Sequence, residues 1–316
     1  MRHKSPLRYP GGKAKLIPFI QELFTSNRLA DGHYAEPYAG GASVALSLLY
    51  DEYARHVHIN DLDRSIYTFW WAALERTDQL VQRIHDAPLT LKHWKRQKEI
   101  QMQKESADPL DLGFSTFYLN RTSRSGIISS GGIIGGNDQT GPWTMDARFN
   151  KSELIRRVER LADYRTRITL TNLDAIDFLA RLSTSLPGKS LTYLDPPYFA
   201  KGQRLYANYY QLSDHQQIAD LVESYPHCWL VSYDYQPEVL SLYRRHRCLV
   251  YSLRYTAATR QRGSEVMFFS GDLQIPATLN LPRIRIRPRG DSRPLETRAF
   301  DKTNRMRGTV VSRGRP

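Results

Sequence analysis

Cysteine is nearly absent from this chain, with Cys228 and Cys248 the only two. Two are too few for a disulfide framework or a four-cysteine zinc site, and a reducing, cytoplasmic setting is expected. No His-Glu-x-x-His occurs, so the usual helical zinc motif is excluded and no metal is expected. The dinucleotide fingerprint G-x-G-x-x-G is missing too, which disfavours NAD or FAD. Long apolar runs are also lacking. The longest weakly apolar stretch, 38–50, is interrupted by Gly and Ser and is too short to span a bilayer, and the opening MRHKSPLRYPGGK has no apolar leader segment. A soluble, unprocessed protein away from membranes is expected. Acidic residues are in deficit, 32 Asp and Glu against 45 Lys and Arg, for a net charge of +13.

Most of that excess is local. Residues 282–316 carry eleven Lys or Arg and three Asp or Glu, a net of +8, which leaves +5 for residues 1–281. A segment rich in Arg, punctuated by Pro and Gly and poor in large apolar residues reads as a flexible cationic tail whose simplest partner is a polyanion; a merely solubilising terminus is the alternative. Elsewhere the 41% hydrophobic and 24% charged composition is ordinary for a globular protein.

Short β-rich apolar runs at 33–36, 56–60, 168–172, 190–194, 228–232, 247–253 and 265–269 are mostly separated by helix-like segments. This alternation predicts an α/β fold with a largely parallel sheet. Between the second and third runs, 62–110 is helix-like and 113–150 is crowded with Gly and Ser, too long for a plain connector, so an inserted domain is expected there. Ser213 to Gln216 has capping-box spacing and predicts the start of a helix. The loop 198–212 before it holds Tyr198, Phe199, Tyr206, Tyr209 and Tyr210, beyond the carboxyl end of a strand, where open α/β sheets bind ligands.

Three stretches invite chemistry. LRYPGGKAKL at 7–16 fails as a phosphate-binding loop, since it has Leu7 and Ala14 where Gly and Ser or Thr are required. Its Gly11-Gly12 turn between Tyr9 and Lys13 still suits close approach of a ligand, or a plain turn. HYAEPYAGGASVALSLLY at 33–50 reads as a strand, an acid, a glycine turn and a helix, a layout suited to a nucleoside, with Asp61 of HVHINDL ending the next strand where ribose hydroxyls bind. In LTYLDPPYFAKG at 191–202, Pro196 and Pro197 remove two backbone donors and turn the chain out of the sheet at Asp195. That leaves a carboxylate, two carbonyls and the ring of Tyr198 on a stiff, poorly hydrogen-bonded elbow.

In order along the chain, RYPGGK, EPYAGGAS, INDLD, FYLNRTSRSG and YLDPPY, with EVMFF later, resemble the Dam-type DNA adenine N6-methyltransferases, which use S-adenosylmethionine. The resemblance implies a Rossmann-like methyltransferase sheet with an inserted, mainly helical DNA-recognition domain: catalytic parts at 1–61 and 166–281, the insertion at 62–165 and the basic tail at 282–316. It implies that Tyr9, Gly11, Gly12 and Lys13 lie by the cofactor adenine. Glu36, Pro37, Tyr38, Gly40 and Gly41 would line its methionine part, Asp61 hold its ribose and Asp174 meet its base. Asp195, Pro196, Pro197 and Tyr198 would be catalytic, Asp195 also bordering the cofactor.

An aromatic amine is a poor nucleophile because its lone pair is delocalised. If Asp195 and the Pro196 carbonyl accept its two hydrogens, the lone pair turns toward the methyl group and the carboxylate stabilises the charge developing on nitrogen. Tyr198 would stack on a base flipped out of the duplex. Asn120, Arg121, Arg124, Arg148 and Lys151 are the candidate contacts to double-stranded DNA, although some of these Arg need only face solvent. Residues 122–143 depart from the Dam recognition segment, so its target sequence is not carried over. A monomer or weak dimer is expected, and a companion restriction endonuclease is left open. The rival readings are an enzyme for cytosine N4 or RNA amines and a silent nucleic-acid-binding protein of the same fold.

Overall fold

The apolar runs become strands with nearly the expected limits. The structure is a computed structural model that describes residues 4–8, 12–199, 210–254, 262–271, 273–276 and 285–287. In it β1 spans Gly32–Glu36, β2 Ala54–Asn60, β3 Ile168–Thr171, β4 Ser190–Leu194, β5 Cys228–Asp234, β6 Arg247–Arg254, β7 Arg262–Phe269 and β8 Arg285–Arg287. They form one sheet in the order β3-β2-β1-β4-β5-β7-β6-β8. The first five are mutually parallel, and β7 enters antiparallel between β5 and β6. This is the largely parallel α/β sheet that the alternating pattern predicts, with the Rossmann-like character that the resemblance implies.

Helices cover both faces. On one side lie α1 (Ile17–Ser26), α2 (Ser43–Tyr50), α3 (Arg64–Glu75), α4 (Thr77–Asp86), α5 (Leu91–Met102), α6 (Pro109–Thr122) and α7 (Lys151–Asp163); on the other lie α8 (Ala175–Ser185), α9 (Leu212–Ser224) and α10 (Pro237–Leu242). β4 shows the consequence. Its Leu191 and Tyr193 join the first core and Leu194 the second, and all five residues are buried, as the period-2 pleat of a sheet covered on both sides requires.

Local chemistry sets several helix starts. The side chains of Asp63, Thr90, Asp108, Asn150 and Asp174 accept from backbone N–H groups in the first turns of α3, α5, α6, α7 and α8. α9 begins two residues earlier than the Ser213 capping box predicts: Gln211 is the cap residue, and its N–H donates to the Asp214 carboxylate at 2.7 Å. The residue three after the cap is thus Asp214 and not the expected Gln216, and Gln211 has the extended backbone a cap needs.

The chain between β2 and β3 holds α3 to α7. Part of the expected Gly-rich loop is helix, because α6 runs on to Thr122 and Gly113 lies inside it. A Cβ at Gly113 would come within 2.5 Å of the Thr68 carbonyl of α3, so this glycine permits close helix packing and marks no turn. Phe69, Phe117 and Leu161 from these helices share one continuous core with Leu23, Leu49 and the strand residues Tyr34 and Val57. The flexible reading of the basic tail needs correction at one point. Backbone 285–287 pairs with β6, in keeping with the alternation of Arg and Ile at 283–287, a period-2 signal that the charge of the segment obscures. Among the described residues no helix is long and apolar enough to cross a membrane.

Strand order reverses between β1 and β4. Crossovers from β1 lead to β2 and β3 on one side and those from β4 lead to β5 on the other, which opens a crevice at the carboxyl ends of β1 and β4. Glu36 ends β1 there, and Asp195 follows β4.

Candidate active site

Asp195 is not the unpaired carboxylate that the elbow suggests. Its Oδ1 accepts from the Ser232 hydroxyl of β5 at 2.7 Å and lies 2.8 Å from the Lys13 ammonium, while 26% of its side-chain surface stays exposed. Ser232 in turn meets the Tyr193 hydroxyl of β4 at 2.8 Å. Both contacts on the carboxylate fall on Oδ1. A half-buried carboxylate needs such donors, and β5, running parallel beside β4, brings the serine level with the elbow.

Lys13 precedes α1 and reaches into the same crevice. There it forms a buried ion pair with Asp195. Its Nζ also donates toward the Tyr198 hydroxyl at 3.4 Å, lies 5.1 Å from the centre of that ring, and is 3.9 Å from Oε1 of Glu265. Burial alone would lower the Lys13 pKa, but Asp195 and Glu265 outweigh it and hold the ammonium well above its usual value.

Glu265 of β7 closes the group. Only 2% exposed, it accepts from Tyr198 at 2.8 Å on Oε1 and from Tyr251 of β6 at 2.6 Å on Oε2. Tyr251 and Glu265 are direct partners in the β6–β7 ladder. Burial pushes the Glu265 carboxyl up, with Lys13 the main opposing influence. The N–H of Phe199 donates to Asp234 at 2.9 Å, so the elbow is tied at three places. Ser232, Tyr251 and Glu265 are absent from the sequence-based site. The available signal was a lone acid in the apolar strand S-E-V-M-F-F, since an acid in a central strand requires buried partners.

Beside this group stand the residues expected to face a nucleoside. Glu36 is buried, and its Oε1 accepts from the Tyr34 hydroxyl at 2.9 Å and the Ala45 N–H at 3.2 Å. Burial raises its pKa to about 8. Asp61 accepts from the N–H groups of Gly40 (2.8 Å) and Asp63 (3.0 Å), and burial raises its pKa to about 7. The glycine turn is thereby pinned: Gly40 has φ 45°, and its carbonyl accepts from the Trp70 indole at 2.9 Å. Pro37 and Gly41 are buried with it, the Pro37 carbonyl accepting from Asn60. Ala42 follows with φ 43°, in the left-handed region that favours glycine. The Tyr38 hydroxyl lies 3.0 Å from that of Tyr210. Asp174 caps α8 through the Ile176 N–H. Pro196 is buried, Pro197 is half-buried and Gly12 is exposed. Tyr9, Gly11, Tyr206 and Tyr209 lie outside the described residues.

The donor set suits a nucleoside carrying a cationic amino-acid arm. Two acids stand at the ends of adjacent strands, and both contacts to the Glu36 carboxylate fall on Oε1. The family model of D12 class N6 adenine-specific DNA methyltransferases matches residues 9–257. The chain belongs to that family. Its substrate is therefore DNA, its reaction N6 methylation of adenine, and its methyl donor S-adenosylmethionine. No curated protein matches the chain.

Among solved structures, the Pyrococcus horikoshii protein PH1948, described as an RNA methyltransferase, is 10% identical with a TM-score of 0.39, covering 84% of this chain and 85% of its own. The Escherichia coli methyltransferase yhhF is 12% identical with a TM-score of 0.33, covering 84% and 90%. Both are too distant to inform the site.

For a D12 methyltransferase the DNA-facing residues come next, and here the structure separates the expected set. Asn120 is fully buried; it accepts from the Arg8 N–H at 2.7 Å and donates to the carbonyls of Arg8 and Gly126. Arg121 is buried too, and its guanidinium donates to the carbonyls of Pro6 and Ser5. Both hold the N-terminal strap in place, and as they stand neither reaches a phosphate. Lys151 is half-buried and donates to the His85 carbonyl at 2.6 Å. Arg148 is half-buried with one enclosed guanidinium nitrogen that lacks a partner, and Arg124 is exposed.

Proposed function

We propose that this chain methylates the N6 amine of an adenine turned out of the DNA duplex, within a short defined sequence, in the crevice between the ends of β1 and β4. What supports this reading is the state of Asp195. Lys13 and Ser232 engage Oδ1, so the carboxylate is fixed in orientation and offers Oδ2 to one N6 hydrogen. The Pro196 carbonyl, on a backbone stiffened by two prolines, takes the other hydrogen.

S-adenosylmethionine, when bound, supplies an electrophilic methyl group. Glu36 holds its amino group, Asp61 its ribose and Asp174 the edge of its base. With both hydrogens accepted, the N6 lone pair would leave conjugation and bond to the methyl carbon while the sulfur–methyl bond breaks, its electron pair leaving on the sulfur of the neutral S-adenosylhomocysteine. Asp195 stabilises the positive charge on nitrogen, and the surplus N6 proton then departs through this carboxylate to water. Tyr198, whose hydroxyl Glu265 fixes, presents its ring to the extruded adenine.

Arg124, Arg148 and residues 123–150 contact DNA beside the pocket, with the basic tail adding affinity that carries no sequence preference. Service in restriction-modification or in marking phage or host DNA fits such an enzyme.

The test uses methyl-labelled S-adenosylmethionine, purified protein and unmethylated genomic DNA, followed by digestion to nucleosides and mapping of the label. N6-methyladenine at one short motif is expected. Label in N4-methylcytosine would overturn the base assignment, and no label at all would overturn the enzymatic reading.

A further inference from the structure

The buried group around Asp195 has an unequal charge count. One ammonium, Lys13, stands against two carboxylates, Asp195 at 2.8 Å and Glu265 at 3.9 Å. Lys13 by itself would neutralise Asp195, an odd arrangement for a carboxylate meant to stabilise a cation. Glu265 alters the balance. Each of its oxygens accepts from a buried tyrosine hydroxyl, Tyr198 on one and Tyr251 on the other, the solvation an ionised carboxylate needs at this depth. Its place opposite Tyr251 on central strands gives it no route to water, and the reaction chemistry leaves it no contact with the adenine amine.

We propose that Glu265 is a positioning residue for methyl transfer: by sharing Lys13 it leaves one surplus negative charge at Asp195, and that charge favours the cationic methyl donor and the cationic nitrogen that follows. The inference rests on the adenine-methylation reading and adds to it a residue that never touches the substrate. The arrangement also explains why Lys13 is there. Without it, the carboxylates of Asp195 and Glu265 would face each other with no cation between them; with it, both are held in place by one ammonium.

The experiment compares wild type, Glu265→Gln and the double variant Lys13→Gln/Glu265→Gln. For each, the affinities for S-adenosylmethionine and for its neutral product S-adenosylhomocysteine are measured by calorimetry, and kcat and KM on DNA by labelled transfer. Glu265→Gln keeps the shape but leaves Lys13 and Asp195 to cancel. It should weaken binding of the cationic donor at least fivefold more than that of the neutral product, and lower kcat ten- to a hundredfold with KM for DNA within threefold. The double variant restores one net negative charge, so its preference between the two ligands should return to within twofold of wild type and its kcat should exceed that of Glu265→Gln at least fivefold.

Equal weakening of both ligands in Glu265→Gln would overturn the proposal, as would a double variant no faster than the single. If the single variant does not fold, the double one, which removes a matched charge pair, still decides: loss of its ligand preference overturns the proposal. Adenine methylation by the wild-type protein is the separate control. Its absence would overturn the functional reading, while the ratio of the two affinities would still judge the charge count.

Discussion

The ammonium of Lys13 and the carboxylate of Asp195 meet at 2.8 Å, although one precedes the first long helix and the other follows the fourth strand. This contact ties the segment just before α1 to the proline elbow, and it orients the carboxylate whose loss should matter most. Asp195→Ala should abolish methyl transfer with DNA binding nearly unchanged, and Asp195→Asn should lower kcat by about a hundredfold or more. Activity equal to wild type in either variant, in the labelled-transfer assay, would remove Asp195 from the mechanism.

Ser232→Ala acts on the same oxygen from the opposite side. It deletes one donor to Asp195 and leaves the buried Tyr193 hydroxyl short of a partner. A cost to folding of about 1–3 kcal/mol is expected in urea denaturation, with a fall in kcat of about fivefold.

The stability of the protein without cofactor should fall as pH rises from the ordinary carboxylate range toward about 8. The Glu36 carboxyl titrates near 8 when folded, so the folded state holds a proton that the unfolded chain has already released. Stability is fully present below the unfolded value and is lost as Glu36 ionises in place. Asp61, raised to about 7, contributes with the same sign. Glu36→Gln should flatten about half of this slope in thermal melts, Asp61 keeping the rest; at about 1.4 kcal/mol per pKa unit the effect is on the order of a few kcal/mol.

The arginines should divide by role. Arg121→Ala strips the Pro6 carbonyl of its donor and leaves the Ser5 carbonyl to Arg157 alone, and should cost about 1–3 kcal/mol of folding stability. Arg124→Ala should leave the melting temperature alone and weaken DNA binding about equally across sequences, reducing the salt slope by about one ion. The opposite pattern in melting and filter-binding experiments would reverse the assignment.

At Ala42 the chain carries a small strain that a single substitution should relieve. Its φ of 43° suits glycine, so Ala42→Gly should raise stability by up to about 1 kcal/mol, and Ala42→Val should lower it. A thermal-shift series over the three side chains checks the order.

What could be read ahead of the structure was local. Seven of the eight strands announced themselves by a short β-rich run, with β8 hidden in the basic tail, and Asp195 was marked by the proline pair behind it. Glu265 could not be reached that way, because its place beside Asp195 depends on β7 entering the sheet between β5 and β6, a pairing between segments distant in sequence. Arg121 misled for a related reason. In FYLNRTSRSG it reads as a surface cation, and only the strap of residues 5–8 passing over α6 supplies the carbonyls that bury it. Gly113 likewise looked like the start of a loop until the carbonyl of Thr68 stood where its side chain would be.

Phe69 and Phe117 stack 5.9 Å apart within the core that also seats the sheet. The helices between β2 and β3 are therefore no detachable cassette. Exchanging them for those of a relative would cut through packed side chains, so on the proposed reading, in which 123–150 contacts DNA, new target preferences are better sought by diversifying that segment than by transplanting the helices beneath it.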